Sequence, residues 1–339
     1  MGKSSFYPDD AVATSQQKTE KGMLAPSQAE AVIESQLHPS FFQRLGGALS
    51  AFWRACTSNK KVAIGCVVVF FFILVGLIGP MLIQGDPNAV SHNANQAPSA
   101  QYWLGTDATG RDLFKQLIAG TRTSVFMSLA TGALVTLFSI LVGVVGGYFG
   151  GLVDDLLTLL TNVFLVLPSL PLAIVLASYF PRNELTVALV IAFTNWAWGA
   201  RVLRSVTLTM RGRDFVTAAR ASGESTWRII FFEVLPNQLS IIAASFVSTT
   251  VFVIVFSASL DFLGLGDPSN ASWGGMLQLA YKSNALMLQQ WWWFVPPGLC
   301  VALLGAGLSL INFGIDEIAD PRLRSEPVPK ELKRRKVIV

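Results

Sequence analysis

The sequence predicts an all-α integral membrane protein with six transmembrane helices, and three observations predict it. Hydrophobic residues make up 52% of the 339-residue chain and charged residues only 14%, where a soluble domain carries about 25% charged residues. The apolar residues gather into uninterrupted stretches long enough to cross a hydrocarbon core about 30 Å thick. These stretches are too long and too little alternating for barrel strands, which need about 9–11 residues, so helices remain as the way to satisfy the backbone in lipid.

Taken in order, the chain opens with a polar segment rich in Ser, Gln and Glu and without periodicity, as expected of a mobile tail over residues 1–38. Phe41, Leu45, Leu49 and Trp53 then recur every four residues. That spacing predicts an amphipathic helix over 39–60, either lying along the membrane surface or packed on another subunit. No secretory signal is expected, because the first apolar stretch comes late and no small-residue cleavage site follows it.

Residues 62–83 carry no charge and form the first span. The polar stretch 84–121 follows, in which Asp107 is expected to cap a short helix bearing Leu113, Leu117 and Ile118. Span two, 124–148, is rich in Gly and other small residues that let helices approach closely. A turn at 149–155, containing Asp154 and Asp155, leads to span three, 156–179. Pro168 and Pro171 lie inside that span and predict a kink or a break midway. A broken span can line a substrate path, and a purely structural kink is the alternative.

Span four covers 185–199, and span five covers 239–260. Residues 261–290 read as a second polar loop, full of Gly, Pro, Asn and Ser. Asp261, at the outer end of span five, is expected within reach of solvent, with either a role in transport or that of an interfacial cap. Trp291, Trp292 and Trp293 are expected to form an interfacial aromatic belt ahead of span six, 294–315. A charged tail containing KELKRRK ends the chain.

Orientation follows from the basic residues. Of the 25 Lys and Arg, all but Arg111, Lys115, Arg122, Arg182 and Lys282 fall on the side shared by both termini and by the segment between spans four and five. The positive-inside rule places that side in the cytoplasm.

Several function classes are excluded or weakened. Cys56, Cys66 and Cys300 form no CxxC pair, and His38 and His92 have no clustered partner, which argues against a disulfide framework and a metal site. No GxxxxGK[ST] occurs, so the chain has no P-loop for ATP. The span cores, as delimited, contain no Asp, Glu, Lys, Arg or His. Proton-driven carriers need titratable groups at membrane depth, and an intramembrane enzyme needs acids, bases or ligands.

The remaining feature is a polar island between two apolar blocks, residues 211–236, RGRDFVTAARASGESTWRIIFFEVLP. Asp214 is a good N-cap, a helix of about two turns follows, and Gly223 stands where a left-handed C-terminal cap belongs. Ala218, Ala219, Ala221 and Ser222 keep the helix slim, with Phe215 as its one bulky anchor. Ser225 can begin a second helix that runs into Pro236. Insertion into a partner's groove and an amphipathic surface loop are both compatible with this pattern.

The pattern FVTAARASG followed by IIFFEVLPN resembles the EAA loop of ABC importer permeases. In order along the chain, YWLGTDATGRDLFKQLIAGTRTS, GGYFGGLVDDLL, LVLPSLPLAIVLA, SLDFLGLGDPSNASWGGML and NFGIDEIADPRLR are similar to signatures of the dipeptide/oligopeptide permease C-type subunit. The resemblance covers roughly residues 40–325.

What the resemblance implies is the type I ABC importer permease fold with both termini cytoplasmic, in the bacterial inner membrane. Its core membrane domain would run over 122–318, after the first span and extracytoplasmic segment at 61–121, with a cytoplasmic tail over 319–339. The implied coupling helix consists of Asp214, Phe215, Val216, Thr217, Ala218, Ala219, Arg220, Ala221, Ser222 and Gly223, supported by Arg228, Leu235 and Pro236. Thr217 stands where the family usually has Glu, so it cannot offer a carboxylate to the capping box or to a partner's basic residue. Pro168, Pro171 and Asp261 are candidates for a gate or path.

The implied partners are a homologous B-type permease, two cytoplasmic ATPase subunits, an extracytoplasmic solute-binding protein and membrane lipid, with no nucleic acid. No cofactor is expected on this chain, ATP and Mg being on the partners. The segments 103–120 and 263–276 would meet the binding protein or gate the mouth, or only shape turns. Transport would proceed by alternating access, with peptides as the expected solute and oligosaccharides, nickel chelates or opines as alternatives. A stand-alone channel or secondary carrier is the reading from a different class.

Overall fold

The computed structural model describes residues 59–319 apart from residue 84, with side chains described to residue 315. The expected tail at 1–38, nearly all of the amphipathic segment at 39–60 and the tail from 320 onward lie outside the described residues, as do His38 and Cys56.

The described chain is helical. It comprises α1 (Lys60–Leu82), α2 (Leu113–Phe149), α3 (Gly151–Val166), α4 (Ser169–Tyr179), α5 (Glu184–Arg211), α6 (Asp214–Ala221), α7 (Leu239–Phe262), α8 (Trp273–Lys282) and α9 (Trp291–Ala319). Between α6 and α7 the turns Thr226–Arg228 and Leu235–Asn237 flank a π-helical segment, Ile229–Val234. Among the described residues five helices, α1, α2, α5, α7 and α9, are long and apolar enough to cross a membrane. The bent pair α3 and α4 makes six if counted as one span.

That pair is broken where the prolines predict. The two helices meet at 93°. Pro168 pushes Leu167 into extended backbone, at φ −68° and ψ 131°, because the proline ring disfavours helical geometry in the residue before it. Pro171 then sits in the first turn of α4, where a missing N–H costs nothing.

Three expectations are corrected. Span two begins at Leu113, not near residue 124, so the short helix and the span are one 37-residue element. Its cap is Asp112, whose carboxylate accepts from the Phe114 and Lys115 N–H groups, and not Asp107. Asp107 is buried, with Oδ1 accepting from Thr109 N and Oγ1 and Arg111 N of its own loop and Oδ2 from the Gln116 side chain of α2, at 2.7–3.1 Å. A short carboxylate finds the N–H groups just ahead of it before it can reach the helix start.

Second, α5 continues twelve residues past the expected end of span four, from 199 to Arg211, and carries Arg201 and Arg204 inside the helix. Both have partners on α3: Arg201 Nη2 donates to Asn162 Oδ1 at 2.8 Å, and Arg204 binds Asp154. Polar partners across the crossing let the helix run on through its arginines. Third, the loop at 261–290 contains α8, and the three tryptophans do not share one environment. Trp291 is exposed while Trp293 is fully buried against Leu113, Met276 and Ala280, because a helix turns 100° per residue.

α2 is the central element, packed on α1, α5 and α7. Its closest approach to α5 depends on Gly143, where a Cβ would run into the backbone of Ala200. One core cluster joins α2, α4, α5 and α7 through Val135, Ala173, Ile191, Val253 and Leu260. A second joins α1, α2, α7, α8 and α9 through Phe72, Val125, Ile254, Trp273 and Leu304. A third, described next, seats α6.

Candidate functional site

α5 ends at Arg211 with Gly212 as its C-cap, and Arg213 in extended backbone turns the chain into α6. Arg213, not Asp214, occupies the N-cap position; its carbonyl accepts from the Val216 and Thr217 N–H groups at 3.1 Å. Asp214 is the first helical residue and makes no side-chain cap bond, but its charge lies in the first turn where the helix dipole favours it. The Thr217 hydroxyl donates to the Asp214 carbonyl at 2.9 Å, so it is spent on its own turn. The far end closes as a Schellman motif. Gly223 stands at φ +79°, its N–H donates to the Arg220 carbonyl at 3.1 Å, and the Glu224 N–H donates to the Ala219 carbonyl at 3.2 Å.

Val216 anchors the helix. It is fully buried among Tyr148 of α2, Leu203 of α5, and Ile229, Ile230 and Val234 of the π segment, with Ala219 and Leu235 packed alongside. The remaining residues of α6 are solvent-facing: Asp214, Phe215, Thr217, Ala218, Arg220 and Ala221, followed by Ser222 and Gly223. Arg220 leans inward at its tip, with its guanidinium carbon 5.9 Å from the Tyr148 ring centre and Nη2 3.5 Å from the Tyr148 hydroxyl. Phe215 edges an open cleft of about 610 Å³ whose walls are Val206, Thr209 and Met210 of α5, Arg213, Asp214 and Asn237.

The segment behind α6 packs against it through buried Ile229, Ile230 and Val234. Arg228 pairs with Glu224 one turn earlier at 3.0 Å, in an exposed geometry worth little by itself. Pro236 is buried, and lacking an N–H it cannot extend the α-helical ladder; just ahead of it the Leu235 N–H reaches back five residues to Ile230. Trp227 lies against Phe149 and Phe231, with Phe231 and Phe232 also exposed.

Two polar ties that the sequence reading missed fix this end. Gln238, fully buried, donates through Nε2 to Thr207 Oγ1 at 2.9 Å and joins the start of α7 to α5. Arg204 forms paired bonds to Asp154, joining α5 to α3. The doubled Asp in GGLVDDLL was a signal for the second, but the partner lies fifty residues away. Nothing in the sequence points to the first.

At the opposite end of the bundle, Asp261 in the last turn of α7 is half-buried and lines a cavity, so solvent reaches it as expected. Its Oδ2 accepts from the Ser272 hydroxyl at 2.7 Å, and Ser272 also caps α8 by accepting from Gly275 N at 3.0 Å. Asn270 links Asp267 and Glu184, at 3.3 and 2.9 Å. Gly266 and Gly274 pack against Asp261, and neither position leaves room for a Cβ. Pro168 and Pro171 lie at the exposed α3–α4 bend, and the structure does not bring them together with Asp261 or α6.

Comparison with known proteins then bears on this arrangement. The model of the family described as "Binding-protein-dependent transport system inner membrane component" matches residues 139–325, which include α6, the Asp154–Arg204 pair and Asp261. The oligopeptide transport system permease protein OppC of Bacillus subtilis is 29% identical over 311 residues, 91% of this chain and 99% of that protein. The dipeptide transport system permease protein DppC of Alkalihalophilus pseudofirmus is 31% identical over 271 residues, 79% of this chain and 88% of that protein. A probable D,D-dipeptide transport system permease protein, DdpC of Escherichia coli, is 31% identical over 290 residues, 85% of this chain and 96% of that protein.

Proposed function

Since the chain belongs to the family of binding-protein-dependent transport system inner membrane components, we propose that it forms half of a peptide path and takes its power through α6. As a member it is a multi-pass inner-membrane permease subunit of an ABC transporter and carries no catalytic centre of its own. An ATPase and a solute-binding protein are its generic partners, which sets aside the stand-alone carrier.

Peptides are the proposed solutes because the relatives over most of the chain are oligopeptide, dipeptide and D,D-dipeptide permeases. The proposed assembly pairs this chain with a homologous B-type permease, two ATPase subunits and an extracytoplasmic binding protein. Both termini and α6 lie on the cytoplasmic side in this reading, following the distribution of Lys and Arg. ATP and Mg are held by the partner ATPases.

The observation that carries the coupling role is the seating of α6. Val216 pins it to α2, α5 and the π segment, while Phe215 and the small residues beside it stay uncovered next to an open cleft. A slim helix with one aromatic anchor and a packed back suits a groove on a partner. ATP-driven closure of the ATPases would move α6, and the α5–α3 tie would pass that motion to the broken span, switching the path between outward and inward access.

The test is uptake and ATPase co-purification with a Phe215→Ala/Arg220→Ala chain; retention of both at the unmodified level sinks the coupling role. Substrate class is read separately, by binding peptide and oligosaccharide panels to the cognate solute-binding protein. Selective binding of sugars would overturn the peptide assignment.

A further inference from the structure

At the end of the bundle opposite α6, a cavity of about 300 Å³ opens between the segment before α2, the α4–α5 turn, the end of α7 and α8. Its volume is at the low end for small-molecule sites, enough for the terminal residue of a larger solute. Three cations from three separate segments line it: Arg111, Arg182 and Lys282. Among the described residues five basic side chains, Arg111, Lys115, Arg122, Arg182 and Lys282, belong to this end of the bundle, so more than half of them converge on one space.

None of the three forms an ion pair among the described residues, although Asp261 and Asp267 line the same cavity. Both carboxylates are engaged elsewhere. Asp261 accepts from Ser272, and Asp267 accepts from the Ser269 N–H at 2.8 Å and from Asn270 at 3.3 Å. Arg111 is half-buried, and its Nε–H is shielded from solvent with no acceptor. A buried donor without a partner is an unfavourable arrangement that an incoming acceptor would relieve. A guanidinium, a second guanidinium and an ammonium around one small space form a set of donors matched to a carboxylate.

We propose that this cavity receives the carboxylate of the transported solute, the C-terminal carboxylate where the solute is a peptide. Arg111 makes the buried contact, Arg182 and Lys282 supply charge at the rim, and Asp261 and Asp267 form an acidic wall against which an anion is poorly placed. The cavity therefore orients a solute end-first at the mouth. The inference rests on the peptide reading only for the choice of test solute.

The test uses the complete transporter in proteoliposomes, with its ATPase and solute-binding protein. A Gln278→Cys variant places a thiol in the cavity wall, and its labelling by a neutral maleimide is followed with the parent chain's labelling subtracted. Alanyl-phenylalanine with a free carboxylate is expected to slow labelling about tenfold, its C-terminal amide to leave the rate unchanged, and added Arg111→Gln to abolish the protection. Equal protection by acid and amide, protection by neither, or protection by the unloaded binding protein alone overturns the assignment. Uptake of both compounds by the unmodified transporter separates this from the broader reading. Uptake of the acid without protection refutes the carboxylate site and leaves peptide transport standing, whereas protection without uptake of either compound overturns the cavity's assignment to the transported solute.

Discussion

Arg204 of α5 holds Asp154 of α3 through two parallel hydrogen bonds, Nε to Oδ1 at 2.5 Å and Nη2 to Oδ2 at 2.7 Å. The aspartate side chain is 12% exposed and the arginine 32%, so the pair is partly shielded. It links the helix that leads into α6 with the helix that breaks at Pro168. Breaking one partner leaves the other charge half-buried and alone, which costs more than the pair contributes. Asp154→Asn is expected to lower stability by about 1–2 kcal/mol, after allowing for screening on the arginine side, and to reduce uptake more than ATP hydrolysis. The exchanged pair, Asp154→Arg with Arg204→Asp, should recover part of both. The measurement is the thermal transition of the purified transporter beside its uptake-to-hydrolysis ratio, and an unchanged ratio in Asp154→Asn removes the link between α5 and α3 from the mechanism.

Val216 is the buried residue on which α6 sits. Val216→Ala removes about two carbons from a packed core and is expected to cost about 2 kcal/mol, loosening α6 from Tyr148 and Leu203. Val216→Asp should go further, abolishing ATPase co-purification while the chain still inserts in the membrane. Membrane fractionation together with pull-down of the ATPase distinguishes this from loss of the whole fold.

Phe215 and Arg220 differ in what they touch within the chain. Phe215 faces the open cleft, whereas Arg220 already rests on the Tyr148 ring. Phe215→Ala is therefore expected to weaken ATPase association about tenfold or more, as loss of an aromatic anchor does, and Arg220→Ala distinctly less. Affinity of the detergent-solubilised chain for the ATPase gives both numbers, and a larger loss from Arg220→Ala reverses the assignment.

Gly223 holds a left-handed conformation that side chains resist. Nothing lies within 4 Å of the site of a Cβ there, so the cost of Gly223→Val is conformational and not steric crowding by neighbours. It is expected to be about 1–2 kcal/mol, with the Schellman closure at Ala219 and Arg220 frayed. Gly223→Asn should recover much of it, since Asn tolerates this geometry. Hydrogen exchange at Gly223 and Glu224 reads the closure directly.

Where signals are local, the sequence was a sound guide to this molecule. Apolar runs marked the spans, Pro168 marked the break, and Gly223 marked the end of α6. Where an outcome depended on what lay across the bundle, the sequence misled. The expected end of span four falls at 199, just ahead of Arg201 and Arg204, but Asn162 and Asp154 on α3 provide for them and the helix continues. Asp107 and Asp214 both looked like caps, yet their neighbours Asp112 and Arg213 hold those positions.

By itself the sequence determined that the chain is helical, that it has spans enough to cross a membrane several times, and that one polar helix interrupts them. Hydropathy, proline and glycine act through the few residues on either side, so these features are written locally. The tertiary structure decided which face of α6 is anchored by Val216, which acid Arg204 meets fifty residues away, and that Arg111, Arg182 and Lys282 surround one cavity. Those relations arise from how whole helices cross and pack, and no short stretch of residues contains both members of any of them.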